Sequence, residues 1–168
     1  DNALSAIATL YGRGYPLDSL WQAASRLQPV PGRMQRLPRV ADAGGPVVVV
    51  DYAHTPDALE NALSALRAHL PSREGGKLWC VFGCGGDRDS GKRPLMAALA
   101  ETLADRIVVT DDNPRSEDPS RIRDQIVAGL SPSAQATAWS IDGRRQAIER
   151  VNDAAGADDI VLLSLIHI

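Results

Sequence analysis

The sequence predicts an α/β fold in which helices cover both faces of a mostly parallel sheet. Two observations carry this prediction: continuous apolar runs of strand length recur along the chain, and amphipathic stretches of helical length alternate with them. Such runs are typical of strands buried on both faces, and this alternation produces parallel strands joined by right-handed crossovers. The runs are Val47 to Val50, Leu78 to Phe82, Ile107 to Val109 and Ile160 to Leu163.

A helix pair is predicted to precede this sheet. Apolar side chains recur at helical spacing in two blocks, residues 3–11 and 17–27. Pro29 and Pro31 then end the helical pattern, because proline cannot continue a helix. We therefore expect a domain boundary near residues 28–38, with the helix pair belonging to a neighbouring domain.

The remaining elements follow from the same alternation. Helices are predicted at residues 56–70, 92–104, 119–129 and 143–155, and residues 134–140 are predicted as a further strand. Because each helix joins two strands that point the same way, the sheet is Rossmann-like. In such sheets the ligand site lies outside the carboxyl ends of the strands, so the loops after the apolar runs are candidate functional segments.

Charge and composition exclude several classes of partner. The 168 residues include 18 basic and 21 acidic side chains, which give a net charge of −3 without long runs of one sign. This balance argues against nucleic acid and membrane surfaces, and no apolar stretch approaches the roughly 20 residues that span a bilayer. Cys80 and Cys84 lie in and just after an apolar run, where buried, reduced thiols are common. We expect a cytoplasmic protein whose partners are small molecules or protein.

The loop after the second run, Gly83 to Asp89, contains three glycines that could bring backbone amides close to a phosphate. Its spacing fits neither phosphate-binding fingerprint. Arg88 stands where a dinucleotide loop has its third glycine, and Arg93 follows Lys92 where a P-loop has serine or threonine. A tight turn with a solvated charge cluster is an equally good interpretation.

The loop after the first run places Asp51, His54 and Asp57 close together. These residue types could ligate a metal, but a strand-terminal aspartate more often accepts a hydrogen bond from a ligand hydroxyl, such as that of a ribose. Thr55 or Asp57 could instead cap the helix that follows. The residues alone leave these alternatives open.

The loop after the third run reads Asp111-Asp112-Asn113-Pro114-Arg115. Arg115 could hold a carboxylate through two parallel hydrogen bonds, and Pro114 would stiffen the loop that presents it. The alternative is an exposed turn before a capped helix, because Ser116 to Pro119 is a good helix start in its own right.

Together these motifs resemble the Mur ligase family, and within it the ligases that add meso-diaminopimelate. The resemblance runs from Asn2 to about Leu163. It is carried by Pro31-Gly32-Arg33-Met34, Asp51-Tyr52-Ala53-His54-Thr55-Pro56-Asp57, Phe82-Gly83-Cys84-Gly85-Gly86-Asp87-Arg88-Asp89 with Lys92-Arg93-Pro94, and Asp112-Asn113-Pro114-Arg115. It implies that residues 1–33 end a central ATP-binding domain and that residues 34–168 form the C-terminal domain. Residues 164–168 have no counterpart in the family pattern, and we expect them to be non-native.

The resemblance also implies a reaction and its site. ATP with Mg²⁺ would drive amide formation between meso-diaminopimelate and a UDP-N-acetylmuramoyl dipeptide in peptidoglycan synthesis, through an acyl phosphate. The residues implied for meso-diaminopimelate are Arg88, Asp112, Asn113 and Arg115, and those implied for the nucleotide are Asn2, Arg33, Asp51 and His54. The P-loop, the magnesium ligands and the UDP-sugar domain have no match here. We therefore expect no catalytic residue and no metal site in this chain, and a monomer that is inactive by itself.

Three alternatives stay open. The first is a relative specific for L-lysine, or a folylpolyglutamate-type synthetase, although lysine has no second carboxylate for Arg115 to hold. The second is a stand-alone α/β nucleotide-binding module without catalysis. The third is a metal-dependent hydrolase built on Asp51, His54 and Asp57.

Overall fold

The structure, a computed structural model, describes residues 2–27, 30–38, 44–70 and 75–164. The chain divides into two compact units, residues 1–30 and residues 31–168. Of the tail expected to be non-native, the structure describes only Ser164, which is the last residue of a strand. Residues 165–168 lie outside the described residues, so the origin of the tail stays a prediction.

The first unit is a pair of helices, α1 (Asn2–Gly12) and α2 (Leu17–Ala24). The predicted helix pair is therefore confirmed, although α2 ends three residues before the predicted end at residue 27. Leu20 is buried, whereas Trp21 is exposed. Assignment of this pair to a central ATP-binding domain stays a prediction.

Among the described residues, the second unit contains one six-stranded sheet. Its strands are β1 (Gln35–Arg36), β2 (Val47–Asp51), β3 (Leu78–Phe82), β4 (Arg106–Thr110), β5 (Trp139–Ile141) and β6 (Ile160–Ser164). They lie in the order β1, β2, β6, β3, β4, β5, and only the pair of β1 and β2 is antiparallel. The predicted mostly parallel sheet is confirmed, and β1 is too short to show a hydropathy pattern.

The helices of the second unit are α3 (Pro56–Arg67), α4 (Lys92–Leu103), α5 (Pro119–Val127), α6 (Pro132–Gln135) and α7 (Arg144–Ala154). Four of them lie within three residues of their predicted bounds. The strand predicted over residues 134–140 is wrong in its first half, because α6 and a turn occupy residues 132–137. Ser131 explains the difference: its hydroxyl accepts a hydrogen bond from the amide of Ala134 and starts a helix.

Both faces of the sheet are covered because successive residues of a strand point to opposite sides. One buried core joins Cys80 and Leu162 to side chains of α3, α4 and α5, such as Leu63, Met96 and Ile126. A second core joins Val81 and Val161 to Ala147 and Val151 of α7. This two-sided burial explains why the strands are continuously apolar in sequence.

The caps of α3 and α5 fix where these helices begin, directly after the loops at the carboxyl edge. Thr55 is the N-cap of α3, and its hydroxyl accepts a hydrogen bond from the amide of Ala58 at 3.3 Å. Asp118 caps α5 by accepting from the amide of Ser120 at 2.8 Å. The capping alternative for Thr55 is therefore confirmed, and so is the helix start predicted after Arg115.

Candidate functional site

A cleft of about 440 Å³ opens at the carboxyl ends of β2, β3 and β4. It is lined by Tyr52, His54, Thr55, Gly85, Arg88, Asp89, Lys92, Asn113 and Arg115. Three of these side chains are basic, whereas Asp89 is the single carboxylate. The first turns of α3 and α4 also meet the cleft at Thr55 and Lys92, and helix N-termini favour anions. The cleft is therefore suited to a ligand that carries negative charge.

On the β2 side of the cleft, the aromatic pair of Tyr52 and His54 contacts the segment that contains Arg33 and Met34. The rings of Tyr52 and His54 meet edge to face at a centroid distance of 4.7 Å, and the guanidinium of Arg33 lies 5.0 Å from the centre of the Tyr52 ring. Asp51 accepts a hydrogen bond from the amide of Met34 at 2.7 Å. Arg33 and Asp51 thus lie beside the cleft, joined to it through Tyr52, while His54 lines it.

His54 is held in one orientation by its own loop. Its Nδ1 lies 3.0 Å from the carbonyl oxygen of Tyr52. A carbonyl oxygen only accepts, so Nδ1 is the donor of this bond, and Nε2 is the ring nitrogen left for another contact. Lys92 donates from Nζ to the carbonyl oxygen of His54 at 2.8 Å, which joins the start of α4 to the loop after β2.

Two glycines of the second loop allow it to pack directly on the third loop. A Cβ added at Gly86 would lie 1.8 Å from the carbonyl oxygen of Pro114, and one added at Gly83 would lie 2.3 Å from that of Thr110. The amide of Gly86 also donates to the carbonyl oxygen of Asn113 at 2.9 Å. These glycines serve close backbone approach between loops, which favours the turn interpretation over a phosphate cradle at both positions.

Arg115 lies in the left-handed region of backbone conformation, with φ of 51°. Its amide donates to the side-chain oxygen of Asn113 at 3.2 Å, and its Nη1 donates to the carbonyl oxygen of Gly86 at 3.1 Å. Asp87 also has φ of 51°, and it accepts three hydrogen bonds from Ser116. These bonds, from the Ser116 hydroxyl first and its amide second, lower the pKa of Asp87.

Backbone strain of this kind is concentrated around the cleft. The non-glycine residues with positive φ among the described residues are Met34, whose amide binds Asp51 beside the cleft, and Asp87 and Arg115, one in each of the loops after β3 and β4. Each such residue costs on the order of 1–3 kcal/mol and persists only where surrounding contacts hold it, typically at functional sites. The loops are therefore held in one geometry at a cost in stability.

Asp112 does not line the cleft, which differs from its expected place among the substrate ligands. Its Oδ1 accepts a hydrogen bond from the amide of Asn113 at 2.8 Å, and its Oδ2 is buried without a hydrogen-bond partner. The neighbouring Asp111 is bound by Arg123 and by the amide of Gly143 at 2.7 Å. Asp111 therefore holds the loop to the rest of the unit, whereas the hydrogen bond of Asp112 stays within the loop. Asn113 and Arg115 reach the cleft.

The structure brings together four of the eight predicted site residues: Arg88, Asn113, Arg115 and His54. Arg33 and Asp51 lie beside the cleft, and Asp112 belongs to the loop after β4 but does not line the cleft. Asn2 belongs to α1 of the first unit, and its side chain is outside what the structure describes. The binding roles of all eight residues stay predictions.

Sequence reasoning missed the buried ion pair beneath the two loops. Arg93 is fully buried and binds both carboxylate oxygens of Glu117 at 2.9 Å. This hydrogen bonding lowers the pKa of Glu117 from 4.5 to about 2, with a further contribution from the amide of Asp87. From the sequence, an arginine next to Lys92 at the start of a helix is expected to be exposed to solvent. The one signal for its burial is the carboxylate of Glu117, which lies 24 residues later in the chain.

Two further features concern metal ions and membranes. Across the described ranges, no group of three or more histidine, cysteine, aspartate or glutamate side chains is placed to hold a metal ion. Asp51, His54 and Asp57 do not form such a group, and Asp57 lies in the first turn of α3. Within the same part of the chain, no helix has the length and apolar character needed to cross a membrane.

Comparison with known proteins identifies relatives over nearly the whole chain. Residues 32–164 match the family described as Mur ligase, glutamate ligase domain. Over 165 residues the chain is 53% identical to the UDP-N-acetylmuramoyl-L-alanyl-D-glutamate–2,6-diaminopimelate ligase of Pseudomonas putida. The match covers 97% of this chain and 31% of that ligase. A solved structure of a ligase with that name shares 40% identity at a TM-score of 0.68, covering 96% of this chain and 31% of the other.

A more distant structure supports the fold alone. The UDP-N-acetylmuramate-alanine ligase of Thermotoga maritima is 23% identical at a TM-score of 0.71, covering 99% of this chain and 34% of that one. The chain thus spans about a third of the length of the relatives it matches.

Proposed function

The chain belongs to the Mur ligase family, and we propose that it is the amino-acid-selecting part of an ATP-dependent amide ligase. The ligase would join meso-diaminopimelate to a UDP-N-acetylmuramoyl dipeptide during peptidoglycan synthesis. The similarity to the Pseudomonas putida ligase, which carries 2,6-diaminopimelate in its name, supports this choice of substrate class.

One observation carries the proposal: Arg88, Asn113 and Arg115 come from two different loops and line a single cleft. Diaminopimelate has a carboxylate and an amine at each end, so a selective site must hold the end that does not react. Arginine suits this task because its planar guanidinium pairs with both oxygens of a carboxylate. The amide of Asn113 has both a donor and an acceptor for the ammonium and carboxylate groups of the same end.

The nucleotide side of the proposal rests on the residues around Tyr52. Asp51 would accept hydrogen bonds from the ribose, while Arg33 and the first turn of α4 would lie toward the phosphates. His54, whose Nδ1 is held by the carbonyl oxygen of Tyr52, would present Nε2 toward the phosphate end. Asn2 would bind the adenine.

In the proposed reaction the peptide carboxylate attacks the γ-phosphate of ATP, which releases ADP and leaves an acyl phosphate. The free amine of diaminopimelate then attacks the acyl carbon, an amide bond forms, and phosphate leaves with the bonding electron pair. The cleft contains no activated nucleophile of its own. Its residues would orient the amine and stabilise negative charge, which is how most catalysis of phosphoryl and acyl-phosphate transfer arises.

Magnesium accompanies ATP in such reactions, and among the described residues no group of three or more histidine, cysteine, aspartate or glutamate side chains is placed to hold it. We propose that the metal is held by residues outside this chain. We also propose a monomer, and we place it in the cytoplasm because ATP and reduced cysteines are typical of that compartment.

The decisive experiment measures amino-acid selection by an active ligase. A chimera would carry residues 2–163 in place of the matching segment of the Pseudomonas putida ligase, and kcat/KM would be compared for meso-diaminopimelate and L-lysine. Arg115→Ala should lower kcat/KM for diaminopimelate by about 30-fold to 1,000-fold, since losing a charge-paired contact costs roughly 2–4 kcal/mol. Arg115→Lys should recover only part of the loss.

The matched control is Arg145→Ala. Arg145 is an exposed arginine that pairs with Glu149 on the surface of α7, away from the cleft, and its loss should leave the kinetics unchanged. Equal activity of the chimera with L-lysine would point instead to the lysine-specific relative. An Arg115→Ala chimera with unaltered kcat/KM for diaminopimelate would remove Arg115 from the proposed site.

A further inference from the structure

The fully buried side chain of Arg93 lies in the first turn of α4, directly beneath the two loops that carry the cleft arginines. It donates hydrogen bonds to Glu117 at 2.9 Å and to the side-chain oxygen of Gln125 at 2.6 Å. A further bond reaches the carbonyl oxygen of Gly85 at 3.2 Å, while Nε has no hydrogen-bond partner. The buried guanidinium is therefore paired with a carboxylate, but one of its N–H donors, that of Nε, has no acceptor.

The partners of Arg93 belong to both cleft loops. Gly85 is in the loop after β3, three residues before Arg88. Glu117 ends the loop after β4, and its own amide donates to the carbonyl oxygen of Pro114 at 3.0 Å, immediately before Arg115. Arg93 thus contacts, directly or through one carboxylate, the backbone on which both cleft arginines are mounted.

Glu117 extends this connection to the strained residue next to Arg88. One carboxylate oxygen accepts from Arg93 at 2.9 Å and also from the amide of Asp87 at 2.6 Å. Asp87 has φ of 51°, so its conformation needs such contacts in order to persist. Fixing Asp87 fixes the direction in which the next residue, Arg88, leaves the loop.

Stability alone is a weak reason for this arrangement. Removing an arginine from water is costly, and well-packed apolar residues of similar volume often stabilise a protein as well as a buried ion pair does. What an apolar side chain cannot supply is a set of directed hydrogen bonds to two separate loops. The geometry of the network therefore indicates that Arg93 fixes the positions of the two loops relative to each other.

We infer that Arg93 is a positioning residue that sets the placement of Arg88 relative to Arg115, and through it the selection of an amino acid with a second, distal carboxylate. This inference rests on the proposed function and adds a determinant that does not touch the ligand. Lysine at position 93 would keep the charge but offers three donors on one flexible atom, so it cannot reproduce contacts that diverge from a planar group.

The test uses the active chimera with Arg93→Lys and the matched control Arg67→Lys. Arg67 also joins a carboxylate and a carbonyl oxygen, those of Asp105 and Leu103, each at 2.7 Å, and lies outside the cleft loops. Arg93→Lys should lower kcat/KM for meso-diaminopimelate by roughly 10-fold to 100-fold, the cost of misplacing a binding group by about an ångström. Discrimination against L-lysine should fall with it, while the KM values for ATP and the dipeptide stay unchanged.

A merely structural role predicts a different pattern. In that case Arg93→Lys would lower all kinetic parameters together with the melting temperature, or would behave like Arg67→Lys, and either result overturns the inference. If Arg93→Lys does not fold, Gln125→Met is judged by the same criteria, because it removes one acceptor of Arg93 while keeping the volume of the side chain. Its effect should be smaller and in the same direction.

Failure of the proposed function is recognised separately. If the unsubstituted chimera does not use diaminopimelate, amide relaxation by NMR on the 168-residue chain decides the inference. Increased mobility at Asp87, Arg88 and Arg115 in Arg93→Lys, absent in Arg67→Lys, would support the positioning role. Unchanged mobility at these three residues would overturn it.

Discussion

Gly86→Ala offers a direct test of how far the cleft depends on contact between its two loops. The new Cβ would lie 1.8 Å from the carbonyl oxygen of Pro114 and 2.7 Å from its carbonyl carbon. Cβ atoms do not approach heavy atoms closer than about 3.0 Å, so the loops must separate by about 1.2 Å. Because Pro114 immediately precedes Arg115, this movement displaces the proposed carboxylate ligand.

The separation has two measurable consequences. It breaks the bond from the Gly86 amide to Asn113, at 2.9 Å, and the bond from Arg115 to the Gly86 carbonyl, at 3.1 Å. We expect the chain to lose about 1–3 kcal/mol of unfolding free energy from overpacking, together with roughly 0.5–1.5 kcal/mol for each hydrogen bond lost. We expect kcat/KM for diaminopimelate in the chimera to fall on the order of 100-fold, from misplacement of Arg115.

Denaturant unfolding and steady-state kinetics check the two expectations, with Gly156→Ala as the control. An added Cβ at Gly156 meets no atom within 4 Å, so this variant should be neutral, or more stable by roughly 0.4–1 kcal/mol through the unfolded state. Wild-type stability and kinetics in Gly86→Ala would refute the reasoning, since they would mean that the loops separate without cost and that Arg115 need not sit against Gly86.

Two other predictions concern charge and thiol chemistry. The pKa of Glu117 is lowered from 4.5 to about 2, so its contribution to stability is present above 4.5 and is lost as the pH falls toward 2. Glu117→Gln should therefore be less stable than the unsubstituted chain at neutral pH, with a difference that shrinks across that window in denaturant titrations; a gap independent of pH would contradict the assignment. Burial raises the pKa of Cys84 to about 11 and that of Cys80 further, so neither thiol should react with iodoacetamide at neutral pH until the chain unfolds. Labelling of the folded chain, followed by mass spectrometry, would show whether either thiol is accessible.

The order of strands and helices was predictable because two-sided burial leaves a strong sequence signal. Residues 78–82 are buried without exception, and their sequence is correspondingly an unbroken apolar run. Residues 134–140 show the limit of that logic, because the capping hydroxyl of Ser131 competes with the weak strand signal and forms a short helix first. Strand β1 escaped prediction because its two residues pair with β2 without an apolar face of their own.

The candidate site was predictable as a set of loops but not as a set of contacts. Parallel strands bring their carboxyl ends to one edge, so the sequence by itself determined that the loops after β2, β3 and β4 would meet, and that Arg88, Asn113 and Arg115 could share a ligand. Only the tertiary structure showed that Asp112 binds within its own loop instead of lining the cleft, and that Gly86 packs directly against the backbone of Pro114.

The buried pair of Arg93 and Glu117 shows the physical reason for this division. Hydropathy and spacing report which side chains prefer water, and an arginine beside a lysine at a helix start reads as solvated. Its burial depends on a carboxylate that the chain returns to the same place 24 residues later, after a further strand and loop. The preference of a segment for helix or strand, and for burial or solvent, can be predicted from its local sequence. The pairing of charges from different loops cannot, because it depends on the sheet bringing those loops together.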